Sequence, residues 1–273
     1  MLYLIATPIG NLGDFSLRAI ETLKGCDWIL CEDTRHSLRL LNHYGIKKPL
    51  KSFHAFNEAK AVEKMIAALK KGSSIALISD AGTPLLCDPG FLLVKRCRED
   101  GVPMTALPGA HAALTALILS GFPPIPYQFL GFLPKKVGQL SALLPRILLY
   151  PGTSICYESP QRLLATLRRI KKSAPEHILC VARELTKLHE ECKIASAQEL
   201  FAHFSLQAPR GECVLLFAPA PARPQWEPFS TQELVHHLKK EFNLETNEAI
   251  KLAAELHGVS KKIVYKMFHT LEE

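Results

Sequence analysis

Ile78-Ser79-Asp80-Ala81-Gly82-Thr83-Pro84-Leu85-Leu86-Cys87-Asp88-Pro89-Gly90 is the stretch whose reading decides the fold. The apolar run before it, Ser74-Ile75-Ala76-Leu77, has the length and composition of a buried strand. Phe91-Leu92-Leu93-Val94-Lys95-Arg96-Cys97 follows with apolar residues at helical spacing. Asp88 has the chemistry of a helix N-cap, and Pro89 suits a first helical position. Gly82 permits a positive φ in the intervening loop, and Pro84 stiffens its exit. Open α/β sheets bind ligands at such loops, on the carboxyl ends of parallel strands.

The same alternation runs outward on both sides. Strands are expected at Leu2–Ala6, Trp28–Glu32, Leu50–Phe53, Ser74–Ser79 and Pro103–Leu107, and helices at Ser16–Leu23, Ser37–Tyr44, Glu58–Lys71, Phe91–Asp100 and Ala110–Ser120. Residues 1–122 therefore predict an α/β domain with a parallel sheet covered on both faces. Pro123-Pro124-Ile125-Pro126 cannot continue a helix and marks a break. A second α/β domain is expected over 128–219, with strands at Gln128–Phe132, Ser154–Glu158, Ile178–Arg183, Glu190–Ala195 and Glu212–Ala218. Its helices are expected at Lys135–Leu144, Gln161–Ile170 and Ala197–Ser205. Neighbouring strands without a helix between them predict a mixed sheet there. Ala218-Pro219-Ala220-Pro221-Ala222-Arg223-Pro224 reads as a proline-rich linker. Residues 230–273 then read as a helical module, with a Gly258 turn and Ser260 as a cap. That pattern fits either a helix-turn-helix or a small cap packed on the body.

The chain has 273 residues, room for two domains, and no apolar run long enough to span a bilayer. The start, Met1-Leu2-Tyr3-Leu4-Ile5-Ala6, lacks the charged region of a signal peptide and reads as a first strand. The eight cysteines form no C-x-x-C pair, which argues against a zinc site and suits a reducing cytoplasm. The formal net charge is +7. Between Pro134 and Lys172 there are eight basic residues and one acid, Glu158. Such a patch fits a polyanionic partner, a solvated helix face being the alternative.

Thr7-Pro8-Ile9-Gly10-Asn11-Leu12-Gly13 falls one glycine short of a dinucleotide-binding G-x-G-x-x-G, because Pro8 stands at the first glycine. Glu32 and Asp33 follow at the distance of a ribose-binding acid, so a nicotinamide enzyme stays open on spacing alone. Ala106-Leu107-Pro108-Gly109-Ala110-His111-Ala112 is a further small-residue loop leading into a helix. Dense charge at Cys31–His36, Tyr157–Arg162 and Arg183–Glu191 is costly at strand ends unless it is paired or used.

Taken together, Thr7–Leu12, Glu32–Arg35, Ser79–Pro84 with Asp88–Gly90, Leu107–Ala110, Gly131–Pro134, Tyr157–Arg162 and Ala182–Lys187 resemble the bacterial ribosomal RNA small-subunit methyltransferase I family. That family belongs to the tetrapyrrole methylase superfamily. The resemblance implies two α/β domains with a cofactor cleft between them, plus the helical tail. It also implies a homodimeric cytoplasmic enzyme that uses S-adenosylmethionine to methylate a cytidine ribose 2′-hydroxyl in 16S ribosomal RNA of the small subunit. A tetrapyrrole methyltransferase, which would share the cofactor loops but need no basic segment, is the alternative. Carried over, the cofactor contacts fall on Pro8, Ala81, Gly82, Thr83, Leu86, His111, Ala112 and Tyr157 or Glu158. His111 stands where family members commonly carry serine. Asp33 and Glu158 are candidate general bases, and Lys187 or His189 candidates to hold phosphate or a developing oxyanion. Lys135, Lys136 and Arg162 or Arg168 are expected on RNA phosphates, and no metal is expected.

Overall fold

The computed structural model describes residues 1–207, 209–220, 229–242 and 244–269. It divides into two compact units. The first comprises Met1–Thr115 with the excursion Glu184–Glu190, and the second holds the rest. The division differs from the expected boundaries in three ways. It falls inside a helix rather than at the prolines, it gives 184–190 to the first unit, and it keeps the tail with the second.

In the first unit, β1 (Leu2–Ile5), β2 (Trp28–Cys31), β3 (Leu50–Ser52), β4 (Ile75–Ile78) and β5 (Met104–Leu107) form a parallel sheet in the order β3-β2-β4-β1-β5. The helices are α1 (Leu17–Gly25), α2 (Thr34–His43), α3 (Glu58–Lys70), α4 (Phe91–Glu99) and α5 (Ala112–Ser120), the last crossing into the second unit. Two-residue alternation splits each strand between two cores. Leu2, Leu30, Ile75 and Leu77 pack with Val62, Met65 and Leu93 of α3 and α4. Ile5, Ile29, Ala76 and Ile78 pack with Ala19, Leu23 and Leu41 of α1 and α2. Strand β4 is buried along its whole length, as a central strand covered on both faces must be.

Strands β1 and β4 are neighbours, yet the helices that follow them lie on opposite faces. Their carboxyl ends therefore form the topological switch point of the sheet, where such folds open a crevice.

The N-cap expectation at Asp88 is corrected. Gly90 occupies the N-cap of α4 at φ +129° and has no side chain with which to cap the helix. The capping carboxylate comes from α3. Glu58 Oε1 accepts from the backbone N–H of Gly90 at 3.1 Å and of Leu92 at 2.9 Å. A buried acid at a helix N-terminus satisfies two orphan donors and complements the helix dipole.

The second unit has a mixed sheet in the order β6-β7-β10-β8-β9, from Tyr127–Phe132, Thr153–Glu158, Ile178–Arg183 (β8), Glu191–Ser196 (β9) and Cys213–Phe217 (β10), β6 and β7 being the first two. Only β6 and β7 pair in parallel. Helices α6 (Val137–Leu148), α7 (Pro160–Ser173) and α8 (Ala197–Leu206) cover one core. Helix α6 runs past Pro145, where the sequence reading ended it at Leu144. Proline removes one helical hydrogen bond. Burial of Leu144, Ile147 and Leu148 in the core accounts for the helix continuing.

The tail forms α9 (Thr231–Phe242), α10 (Thr246–Leu256) and α11 (Lys261–His269). Gly258 makes the turn at φ +64°, and Ser260 Oγ accepts from Ile263 N–H as the expected cap. The three helices share a core with Leu149, and Arg146 of α6 grips Glu255 of α10 at 2.9 Å. The module thus packs against α6. Residues 221–224 of the expected linker and 270–273 of the expected module lie outside the described residues.

Candidate active site

Three loops leave the carboxyl ends of β1, β4 and β5 and are stitched together. Thr7 and Gly82 exchange backbone hydrogen bonds at 2.9 and 3.0 Å, forming an isolated bridge. Thr7 Oγ1 donates to the Ser79 carbonyl, and Ser79 Oγ donates to the Gly82 carbonyl at 2.7 Å. Thr83 Oγ1 donates to the Ala110 carbonyl at 3.1 Å, tying in the third loop. Gly82 has φ +78°, and a Cβ there would lie 3.2 Å from Ile9 Cγ2. Gly109 is equally constrained, since its Cβ would meet Ala6 Cβ at 2.8 Å.

The loop after β4 stores strain. Besides its glycines, Leu85 and Cys87 hold φ at 73° and 74°. Among the described residues, the other non-glycine cases are Glu184 and Thr186, both in the excursion that joins this unit. Left-handed non-glycine residues cost free energy and cluster where a loop's shape is used. Sequence reading did not find these positions, because leucine and cysteine give no signal for αL.

The excursion meets the first loop directly. A Cβ on Gly10 would lie 2.6 Å from Lys187 Cγ and 3.0 Å from the Leu185 carbonyl. Only glycine lets the stem of Lys187 lie across this loop. Its ammonium pairs with Glu184 at 3.0 Å. Pro8, Gly82, Thr83, His111 and Lys187 thus all belong to the first unit, with His189 in the same excursion.

His111 is the N-cap of α5 in function. Its Nδ1 accepts from Leu114 N–H at 3.3 Å, the task a serine hydroxyl performs. That bond requires the neutral ring, and burial lowers the His111 pKa from its ordinary 6.5. With the folded pKa below the unfolded one, stability is full above pH 6.5 and falls as pH drops through the folded value. Replacing His111 by serine is expected to keep the cap and flatten this acid limb in pH-dependent denaturation. An unchanged limb would contradict the assignment.

Asp33 and Glu158 do not have the surroundings of general bases. Asp33 caps α2, accepting from Arg35 N–H at 2.8 Å and from the Arg35 guanidinium at 2.9 Å. The guanidinium hydrogen bond, then that backbone bond, pull its pKa down to about 2. A carboxylate this acidic is a weak proton acceptor near neutrality. Glu158 lies in the second unit with its side chain fully buried. It accepts from Thr166 Oγ1 at 2.7 Å and Ser159 N–H at 2.9 Å, and pairs with Arg162 at 3.3 Å. Glu158 is thus the buried anchor of this turn. Tyr157 beside it is half-buried, its ring against Phe129 and Phe132.

Arg162 is likewise committed. Its guanidinium donates to the carbonyls of Leu133 and Pro134, at 3.1 and 2.7 Å, and so clamps the turn before Lys135. Lys135 and Lys136 beyond that turn are exposed, whereas Arg168 and Lys171 stand over the Phe201 ring. Asp80, absent from the sequence-level candidates, accepts from Asp33 N–H at 3.3 Å and couples the β2 and β4 loops. No group of potential metal ligands occurs among the described residues.

Comparison with known proteins completes the picture. Residues 1–201 match the family of Tetrapyrrole (Corrin/Porphyrin) Methylases. The Ribosomal RNA small subunit methyltransferase I of Streptococcus pyogenes serotype M1 is 40% identical, over 99% of this chain and 95% of its own length. The protein of the same name from Escherichia coli O157:H7 is 42% identical, over 97% and 93%. The chain belongs to the ribosomal RNA small subunit methyltransferase I family, within the tetrapyrrole methylases. The methyltransferase also shares its fold with a solved diphthine synthase, at a TM-score of 0.63 and 11% identity over 80% of this chain and 90% of that one. A uroporphyrin-III-C-methyltransferase from Thermus thermophilus gives 0.54 and 18%, over 80% and 93%.

Proposed function

We propose that the enzyme binds S-adenosylmethionine at the β1, β4 and β5 loops and methylates a cytidine ribose 2′-hydroxyl in 16S ribosomal RNA. The observation that carries the cofactor assignment is the stitched, glycine-dependent triplet of loops at the switch point. The residues present fit such a group. Ala81 and Leu86 are exposed, Thr83, His111 and Ala112 are half-buried, and the small side chains let a ligand approach the backbone. When bound, S-adenosylmethionine supplies a methyl group already activated by its sulfonium. The chain's task is then to align the hydroxyl, and alignment alone lowers a barrier substantially. Lys187, its stem across Gly10 and its ammonium paired with Glu184, is our candidate to stabilise negative charge developing on the ribose oxygen. His189, in the same excursion, stays a candidate to hold phosphate or the developing oxyanion. Labelled methyl transfer tests the reading, with small ribosomal subunits, naked 16S ribosomal RNA and a porphyrin precursor run in parallel. Label in the RNA supports it, and label in the porphyrin precursor alone overturns it.

The basic turn supports the RNA side of this reading. Lys135 and Lys136 carry no ion pair among the described residues, whereas Arg146 and Arg162 are paired with Glu255 and Glu158. We assign the phosphate contacts to the two lysines and remove Arg162 from the expected set, Arg168 staying as a secondary candidate. Changing Lys135 and Lys136 together to alanine is expected to flatten the salt dependence of RNA binding by roughly one unit per lost contact. Binding of S-adenosylhomocysteine should not change. An unaltered salt slope would assign the lysines to a solvated surface.

A dimer is the proposed assembly. Helix α5 is apolar around its circumference, burying Ala113, Ala116 and Leu117 while exposing Leu114 and leaving Ile118 80% exposed. A helix of that composition calls for cover on both sides, and a second copy provides it. No helix among the described residues is long and apolar enough to cross a membrane.

A further inference from the structure

We infer that the loop between β3 and α3 is a stacking platform for an unpaired base of the RNA substrate, with Phe56 as the stacking ring and His54 beside it. The inference rests on the RNA reading above. Phe56 is 97% exposed, the most exposed large apolar side chain among the described residues. Its exposure does not come from a slack loop. Phe53 is buried and its N–H reaches the Cys31 carbonyl at 2.8 Å. Asn57 Oδ1 accepts from His54 N–H at 2.9 Å, and Asn57 Nδ2 donates to the Ser52 carbonyl at 3.0 Å. Asn57 and Glu58 N–H both return to the His54 carbonyl. A turn braced on both sides therefore presents one aromatic ring to solvent.

A second observation points the same way. The half-buried His54 ring stands 6.1 Å from that of Phe56, edge to face, and extends the aromatic surface beside it. The neighbouring loop after β2, tied on by Ser52 Oγ to the Glu32 carbonyl, adds exposed His36 and Arg39, Arg35 being committed to Asp33. Glu32 is the exposed acid among them, and Asp33 is already neutralised by Arg35. Aromatic rings flanked by cations are how proteins hold unpaired RNA bases. The platform sits on the carboxyl edge of the sheet that carries the cofactor loops. It is two strands from β4, about 10 Å along the edge, the reach of a neighbouring nucleotide rather than the reacting one.

The test measures methyl transfer to small ribosomal subunits, together with direct RNA binding, for Phe56→Ala and Phe56→Trp. Phe56→Ala should raise KM and Kd by about five- to 150-fold, the range for one stacked base, with little change in kcat. Its salt slope should match wild type, because stacking releases no counterions. Phe56→Trp should restore affinity, and both variants should bind S-adenosylhomocysteine as wild type does. Phe56→Ala with wild-type KM and Kd overturns the platform while leaving the RNA reading intact. Loss of binding to subunits with full binding to naked RNA assigns Phe56 to a protein contact and also overturns it. A wild-type enzyme that methylates no RNA overturns both readings together.

Discussion

Replacing Gly82 by valine is expected to abolish methyl transfer while leaving a folded protein. Gly82 holds φ at +78°, a region that a β-branched residue enters only at a cost of about 1–3 kcal/mol. Its new side chain would also meet Ile9 Cγ2 at 3.2 Å and the Ala110 carbonyl at 3.5 Å. Those two atoms belong to the other two loops of the site; the Cβ crowds the first and touches the second, so the added γ-methyls of valine would press the loops apart. The Thr7–Gly82 bridge and the Thr83–Ala110 bond are the contacts that would go. Misplacement by even an ångström costs about 10²-fold in rate, so activity should fall at least that far. Calorimetry with S-adenosylhomocysteine should lose its binding heat in parallel, with circular dichroism unchanged. Retained cofactor binding in this variant would remove the switch-point loops from the site.

The second large effect separates stability from chemistry at Glu158. Truncation to alanine strands Arg162 without its carboxylate and removes the acceptor of Thr166 Oγ1. Breaking a buried pair from one side costs about 3–5 kcal/mol, and denaturant titration should show a loss of that size. Glu158→Gln keeps the shape and an acceptor and should recover much of it. The glutamine variant's kcat should then remain near wild type at saturating substrate. If instead Glu158→Gln folds normally and loses about 10²–10⁴-fold in kcat, Glu158 is the general base after all.

Both predictions turn on features that differ in how openly the sequence displays them. The strand before Gly82 was legible because Ile75-Ala76-Leu77-Ile78 is uniformly apolar, and a strand buried on both faces has no other option. The second-unit strand Ile178–Arg183 was legible to the residue, bounded by proline on one side and charge on the other. The N-terminus of α4 was not. Asp88-Pro89 is a good local cap signal, but a tertiary partner, Glu58, outcompeted it with two hydrogen bonds of its own. Local rules see only neighbours in the chain, and Glu58 is some thirty residues away.

The site was legible in its glycines and in little else. Gly10, Gly82 and Gly109 announce close approaches, and each proves to face another loop of the site. Charge was the poorer guide. Composition shows that Asp33, Glu158 and Arg162 are charged but not that each is already spent, on a helix cap, a buried pair and a carbonyl clamp. Lys187 was singled out by motif, yet its role rests on the segment Glu184–Glu190 folding with the first unit, which no periodicity encodes.

The most direct test of the central claim is the chemical identity of the methylated product. Small ribosomal subunits lacking the modification, labelled by the enzyme with S-adenosylmethionine, would be digested to nucleosides and analysed by mass spectrometry. The account predicts label in 2′-O-methylcytidine, at one position of 16S ribosomal RNA. Label on a base, or on a nucleoside other than cytidine, would contradict it.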